Sequence, residues 1–300
     1  IGKSLSNIGP DHKHWQEFQK TQVFIADESH LTPAATLQKV CYGLLKTCAY
    51  RFFFSATQMR GDGLGVVLEG ITGAVVMRMA AREGIDKGWL AKPNFRMVSV
   101  GSPDPTYFRK DNIAMHRFHV VHNKDMAKIA AILANQTVDH LKCPVLILID
   151  ELPQFLNMLP YFRHEVGLAF GGSDKKVEDA DGNMIDYLPS KYLDPDNEAL
   201  VKRFNAGDLM ILVGTSSVST GTDFTKVGHV IYMMGGSSEI QVRQCIGRGT
   251  RKPDGKKSFV FTDFDVWDVP AVHASSVIRR EIYKDTYAEA VELKGEKWLA

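Results

Sequence analysis

The sequence predicts an α/β protein of two units, each built on a mostly parallel sheet covered by helices. Three observations carry this. The 300 residues exceed what one core usually holds, so two domains are expected. Short apolar runs recur along the chain without the alternation of a half-exposed strand, as buried parallel strands read. Between them stand stretches with apolar residues at helical spacing, which is the strand–helix alternation of a parallel sheet.

Residues 1–20 offer one short helix, over 11–19. Gly2-Lys3-Ser4 matches the close of the phosphate-binding loop Gly-x-x-x-x-Gly-Lys-Ser/Thr. The loop's first glycine and its feeding strand are absent, so the match reads as coincidence. Residues 22–31 are an apolar run that stops at Asp27-Glu28-Ser29-His30. At the tip of a buried strand one carboxylate can hold a hydrated Mg²⁺, while its neighbour orients or deprotonates a water attacking a phosphate. A strand that merely leaves the core for a polar turn gives the same residues. Residues 33–47 read as a helix through Leu37, Val40, Cys41, Leu44 and Leu45, and 51–57 as a second buried strand ending in Ser55-Ala56-Thr57. Those hydroxyls can relay hydrogen bonds to a neighbouring domain or simply cap the turn. Residues 60–65 form a glycine-rich loop, 85–90 a helical piece and 95–100 a strand. Pro103 and Pro105 mark 101–106 as a linker.

The second unit alternates a helix over 124–133, a strand over 145–149, a helix over 154–162 and a strand over 166–170. A polar stretch follows, with a hairpin turning at Asp181-Gly182-Asn183. It resembles a calcium loop only briefly, since Met184 stands where the glycine belongs and Ser190 where the bidentate glutamate belongs. A helix over 197–205 and strands over 209–213, 229–234 and 258–262 complete the unit, and 271–299 is helical in pattern. Two stretches here carry chemistry. Residues 214–224 place glycines and hydroxyls after a buried strand, where backbone N–H groups can meet a phosphate and Asp223 can accept from a ribose hydroxyl. A ligand-free polar loop reads the same way. In Gln244-Cys-Ile-Gly-Arg-Gly-Thr-Arg251, Arg248 and Arg251 are one helical turn apart, so both guanidinium groups can face one anion. Glycines on either side of Arg248 count against a merely solvated helix, because each costs about 1 kcal/mol relative to alanine.

Composition excludes rather than assigns. The 36 Lys and Arg against 35 Asp and Glu leave +1, so any nucleic-acid contact rests on local placement of charge. Four scattered cysteines without a Cys-x-x-Cys pair point to a reducing compartment and away from structural zinc. No apolar run reaches the ~18 residues of a membrane span, so a cytoplasmic protein without membrane partners is expected. Trp15, Trp89 and Trp267 read as packing residues, and the ten histidines show no metal-ligand spacing.

Taken together and in order, these motifs resemble the superfamily 2 helicases and nucleic-acid translocases of the DExH type. Asp27-Glu28-Ser29-His30 is similar to the family's motif II, Ser55-Ala56-Thr57 to motif III, residues 215–223 to motif V and 244–251 to motif VI. Residues 145–150 resemble motif IV more loosely. Residues 51–93 look most like phage recombination helicases and the motor subunits of restriction enzymes, members that act on DNA. The resemblance implies two RecA-like lobes, the first incomplete here, with ATP in the cleft between them and a nucleic-acid strand, DNA rather than RNA, lying across both. It divides the chain into a first lobe at 1–100, a linker at 101–112, a second lobe at 113–270 and a helical extension at 271–300.

By the same resemblance Asp27 holds Mg²⁺ through water, Glu28 acts on the attacking water, and His30 and Gln244 sense the nucleotide. Ser55 and Thr57 couple the lobes. Thr215 and Ser216 touch the nucleic-acid backbone, Gly221 lies there and at the nucleotide, Asp223 takes the ATP ribose, and Arg248 and Arg251 are arginine fingers. Gln58 departs from the proline many relatives carry. The family's phosphate-binding loop belongs before motif II, so a piece of a longer product is expected, hydrolysing ATP poorly by itself. A non-catalytic nucleic-acid-binding module, or a motor within a larger restriction-type complex, stays open as an alternative.

Overall fold

A computed structural model describes residues 8–29, 35–55, 65–171, 176–178, 184–193, 195–215, 223–253, 255–287 and 291–293. The chain divides into two compact units, Ile1–Arg78 and Met79–Ala300.

The first unit contains α1 (Trp15–Gln19), β1 (Val23–Ala26), α2 (Ala35–Lys39, continued by a wider turn over Val40–Leu44), β2 (Tyr50–Phe53) and α3 (Gly65–Thr72). β1 and β2 pair in parallel from Val23↔Tyr50 to Ala26↔Phe53. The core is small: Val40, Leu44, Leu45 and Cys48 are buried, with Trp15, Phe18 and Phe24 packed against them. Both strands were expected to be buried on two faces. Instead Ile25 is 64% and Phe52 48% exposed, because the helical layer covers only the face that carries Phe24.

In the second unit α4 (Ala81–Asp86) precedes β3 (Lys92–Val100), then come α5 (Asn112–His116), α6 (Lys124–Gln136), β4 (Val145–Leu148), α7 (Leu152–Met158) and β5 (Val166–Ala169). The expected hairpin is β6 (Lys176–Glu178) against β7 (Met184–Tyr187); its turn residues 181–183 lie outside the described residues. α8 (Asn197–Ala206), β8 (Ile211–Gly214), β9 (His229–Tyr232), α9 (Glu239–Thr250), β10 (Ser258–Val266), α10 (Pro270–Thr286) and β11 (Val291–Leu293) follow. The sheet order is β11-β3-β10-β9-β4-β8-β5, and every neighbouring pair is parallel. β4, β8 and β9 are buried throughout, which is why they read as unbroken apolar runs. Helices start where an Asx or Ser side chain accepts an orphan N–H: Asn123 from Met126, Asp196 from Ala199 and Ser238 from Gln241. From β4 the chain moves to one side of the sheet and from β9 to the other. The strand order therefore reverses between β4 and β9, the kind of point at whose carboxyl ends α/β sheets bind ligands.

Four sequence expectations change here. β3, assigned to the first lobe, pairs along its whole length with β10, from Ser258↔Lys92 to Val266↔Val100; the paired run of nine residues outweighs its nearness in sequence to the first unit. The expected linker is pinned within the second unit: Asp268 accepts the Ser102 N–H at 2.9 Å, and Asn123 donates to the Gly101 carbonyl at 2.9 Å. The C-terminal stretch is helical only to Thr286, after which β11 extends the sheet beside β3. Trp89 and Trp267, read as packing residues, are 58% and 61% exposed, and the Lys87 ammonium sits 4.7 Å from the Trp89 ring centre.

Candidate functional site

In the first unit the β1–β2 ladder runs on past the strands. Phe54 donates its N–H to Ala26, and buried Ser29 donates back to Phe54, both at 2.8 Å. The acidic tip and Ser55 are therefore held side by side, one strand apart. The Asp27 carboxylate accepts the Glu28 N–H at 2.8 Å, and Glu28 takes a left-handed backbone (φ 52°). A non-glycine residue there costs about 1 kcal/mol or more. Both carboxylates are exposed. Among the described residues no three metal-ligating side chains cluster. The exposed Asp27 carboxylate suits a hydrated Mg²⁺, which takes one or two carboxylates beside water and phosphate oxygens. His30 and Thr57 lie outside the described residues.

In the second unit Thr215 stands at the carboxyl tip of β8, its N–H bonded to Ala169 of β5 at 3.2 Å. Ser216 and Gly221 lie outside the described residues. Gln244 and Arg248 are four apart on α9 and share a face. Arg251 does not share it: the helix ends at Thr250, and Arg251 is extended (ψ 132°), two residues before Pro253. Its guanidinium pairs with Asp223 at 3.0 Å, so the two groups assigned to the nucleotide meet each other. Both are more than 60% exposed, and a pair of that kind is worth at most about 1 kcal/mol, weak enough for an anion to replace.

The end of α9 is fixed by one bond from within the helix and two from outside it. Thr250 Oγ1 donates to the Gly247 carbonyl, Ala91 N–H donates to the Thr250 carbonyl at 2.9 Å, and the Lys256 ammonium donates to the Gly249 carbonyl. These are carbonyls a helix end leaves without partners. Burial pushes Lys256 down to about 8, and the Cys143 thiol beside it opposes that shift. Burial also pushes Cys245, inside the same helix, up to about 12. The two glycines beside Arg248 now separate. A Cβ on Gly249 would run into the Phe259 ring, whereas a Cβ on Gly247 meets nothing within 4 Å. Gly249→Ala should cost about 1–3 kcal/mol by overpacking, while Gly247→Ala should gain up to about 1 kcal/mol. Urea midpoints of the two variants decide it; equal shifts would refute the packing role of Gly249.

Sequence reasoning reached Asp150 only as the end of the loose motif IV likeness and gave no role to the third group it belongs to. Asp150-Glu151 follows the buried β4 as Asp27-Glu28 follows β1, and both acids are paired: Asp150 with His116 at 3.0 Å, Glu151 with Arg117 at 2.9 Å. The apolar run stopping at two acids was the available signal. Arg279 was also missed. It lies buried in α10 against Asp263, and nothing in its local sequence sets it apart.

The comparisons agree with this geometry. Residues 163–253 match the family model described as the helicase conserved C-terminal domain. No curated protein sequence matches the chain. Among solved structures it is similar to a fragment described as an HsdR subunit of a type I restriction enzyme from Vibrio vulnificus YJ016 (TM-score 0.59, 17% identity, covering 93% of this chain and 49% of that one). It is also similar to S. cerevisiae Dbp5 bound to RNA and ADP BeF3 (TM-score 0.57, 14% identity, covering 93% and 61%). A third is the Mycobacterium smegmatis helicase Lhr bound to ssDNA and AMP-PNP (TM-score 0.55, 15% identity, covering 97% and 34%). At such identities the likeness shows the fold, and this chain spans between 34% and 61% of those chains. The helicase C-terminal match falls within the second unit, whose parallel α/β sheet shares its fold with these solved helicase and restriction-subunit structures.

Proposed function

We propose that this chain is part of an ATP-driven motor that moves on nucleic acid, DNA rather than RNA. The observation that carries the reading is the acidic tip laced to the Ser55 tip in the first unit, followed in order by Thr215, Asp223 and the Arg248 helix in a helicase C-terminal domain. ATP brings Mg²⁺, which neutralises charge developing on the phosphates. Asp27 would hold that ion through water. Glu28, exposed and fixed by its backbone bond to Asp27, would take the proton of the attacking water. Arg248 would face the γ-phosphate, with Arg251 joining once it leaves Asp223; Gln244, on the face of Arg248, would sense the nucleotide together with His30. Asp223 and Gly221 would hold the nucleotide, Thr215 and Ser216 the nucleic-acid backbone, and Ser55 and Thr57 would couple the two. A cytoplasmic location and a place in a larger restriction-type complex fit this reading.

The test is phosphate release from ATP by the full-length protein, with and without single-stranded DNA or RNA. Stimulation by DNA above that by RNA is expected, with Glu28→Gln lowering the stimulated rate by about 10² to 10⁴. Binding of DNA with no release under any condition would leave a non-catalytic binding module instead.

A further inference from the structure

A cavity of about 350 Å³ opens at the carboxyl ends of β9 and β10, within the second unit, and none of the residues given a role in the proposed function lines it. Its volume is at the small end of small-ligand sites. It adjoins the point where the strand order reverses, and the His116 ring on its wall is turned by Asp150 at the end of β4. Gly235 permits this packing, since a side chain there would meet His116 at 2.9 Å and Val120 at 3.2 Å. The floor is apolar: Met115, Val120, Met126 and Phe264 are buried.

Arg279, the buried cation among the described residues of its wall, is already neutralised. Arg279 donates Nε–H and an Nη2–H to Asp263, an Nη2–H to the Phe264 carbonyl and an Nη1–H to the Gly236 carbonyl. The remaining Nη1–H has no partner among the described residues. The half-buried Ser275 hydroxyl, and the Asn112 and Ser237 side chains at the mouth, likewise have none among the described residues. A phosphate would find no net positive charge here. A flat, uncharged heteroaromatic ring with acceptors on one edge matches both the floor and the donors.

We propose that this cavity takes one unstacked nucleobase of the strand on which the protein acts, its ring on the apolar floor and an acceptor edge toward Arg279 and Ser275. The inference rests on the nucleic-acid reading given above. A free nucleoside offers the same chemistry, so the test separates the two sources.

The full-length protein is titrated into single-stranded DNA carrying one 2-aminopurine and a terminal dye, and separately into 2-aminopurine riboside. Dye anisotropy reports binding, and 2-aminopurine emission reports unstacking. Wild type should bind the strand and brighten the base several-fold. Val272→Trp, which fills the cavity, should abolish the brightening and weaken binding about tenfold, the worth of one base contact. If Val272→Trp does not fold, Ser275→Ala is read in the same way and should lower the brightening. Binding with brightening unchanged in these variants overturns the inference and leaves the motor reading intact. Absence of DNA binding overturns both. A response to the riboside without one to the strand overturns the strand as the source.

Discussion

Replacing Arg279 by methionine should destabilise the second unit by about 3–5 kcal/mol, among the largest effects of any single substitution in the chain. Arg279 and Asp263 are 2% and 1% exposed, joined by two hydrogen bonds at 2.8 and 3.0 Å, and Tyr283 donates to the same carboxylate at 2.7 Å. Removing the guanidinium leaves the carboxylate buried against one hydroxyl and the Phe264 N–H. It also frees the Gly236 carbonyl that ties α10 to the turn after β9. The pair itself need not be worth that much, since replacing both partners with apolar residues is often neutral. Asp263→Leu combined with Arg279→Met should therefore recover much of the loss in urea denaturation. A double variant as unstable as the sum of the singles would contradict the pairing.

The second large effect is one of pH. His229 is buried in β9 between Thr137 Oγ1 and Thr262 Oγ1, each 2.7 Å from a ring nitrogen. Burial, with the Arg96 charge nearby, pushes it down to about 3 from an ordinary 6.5. The folded state therefore binds the proton less readily than the unfolded one. Stability is full above pH 6.5 and falls as pH drops through 3, by up to 1.36 kcal/mol per pH unit and roughly 5 kcal/mol in all. Because other groups titrate in the same window, the measurement is the difference between wild type and His229→Gln across pH 3–7. That difference should slope by about one proton, and a flat difference would refute the assignment.

How far the sequence carried differs between the two units. β4, β8 and β9 are buried on both faces, so their apolar runs were legible without a fold. The same cue misled at β1 and β2, where apolar residues such as Ile25 and Phe52 stand exposed on a strand read as buried. β3 was placed in the wrong unit because pairing with β10 is a contact across more than 160 residues, which no local pattern records. Among the proposed site residues, the shared helix face of Gln244 and Arg248 and the strand-tip place of Asp27 and Glu28 were legible from spacing, while their roles come from the resemblance. The departure of Arg251 from the helix had only Pro253 as a local sign, and its position depends also on Ala91 and Lys256 reaching the helix end from elsewhere. Gly249 shows the middle case: its presence called for an explanation in the sequence, and the Phe259 ring supplies it.

The central claim is that Glu28 and Arg248 serve one hydrolytic step. A double-mutant cycle on DNA-stimulated phosphate release by the full-length protein tests it most directly, using Glu28→Gln, Arg248→Ala and the two combined. If both groups act on the same transition state, each single variant loses at least about 10² in rate, and the double is within a few-fold of the worse single. Losses that multiply, or an Arg248→Ala protein with the wild-type rate, would contradict it.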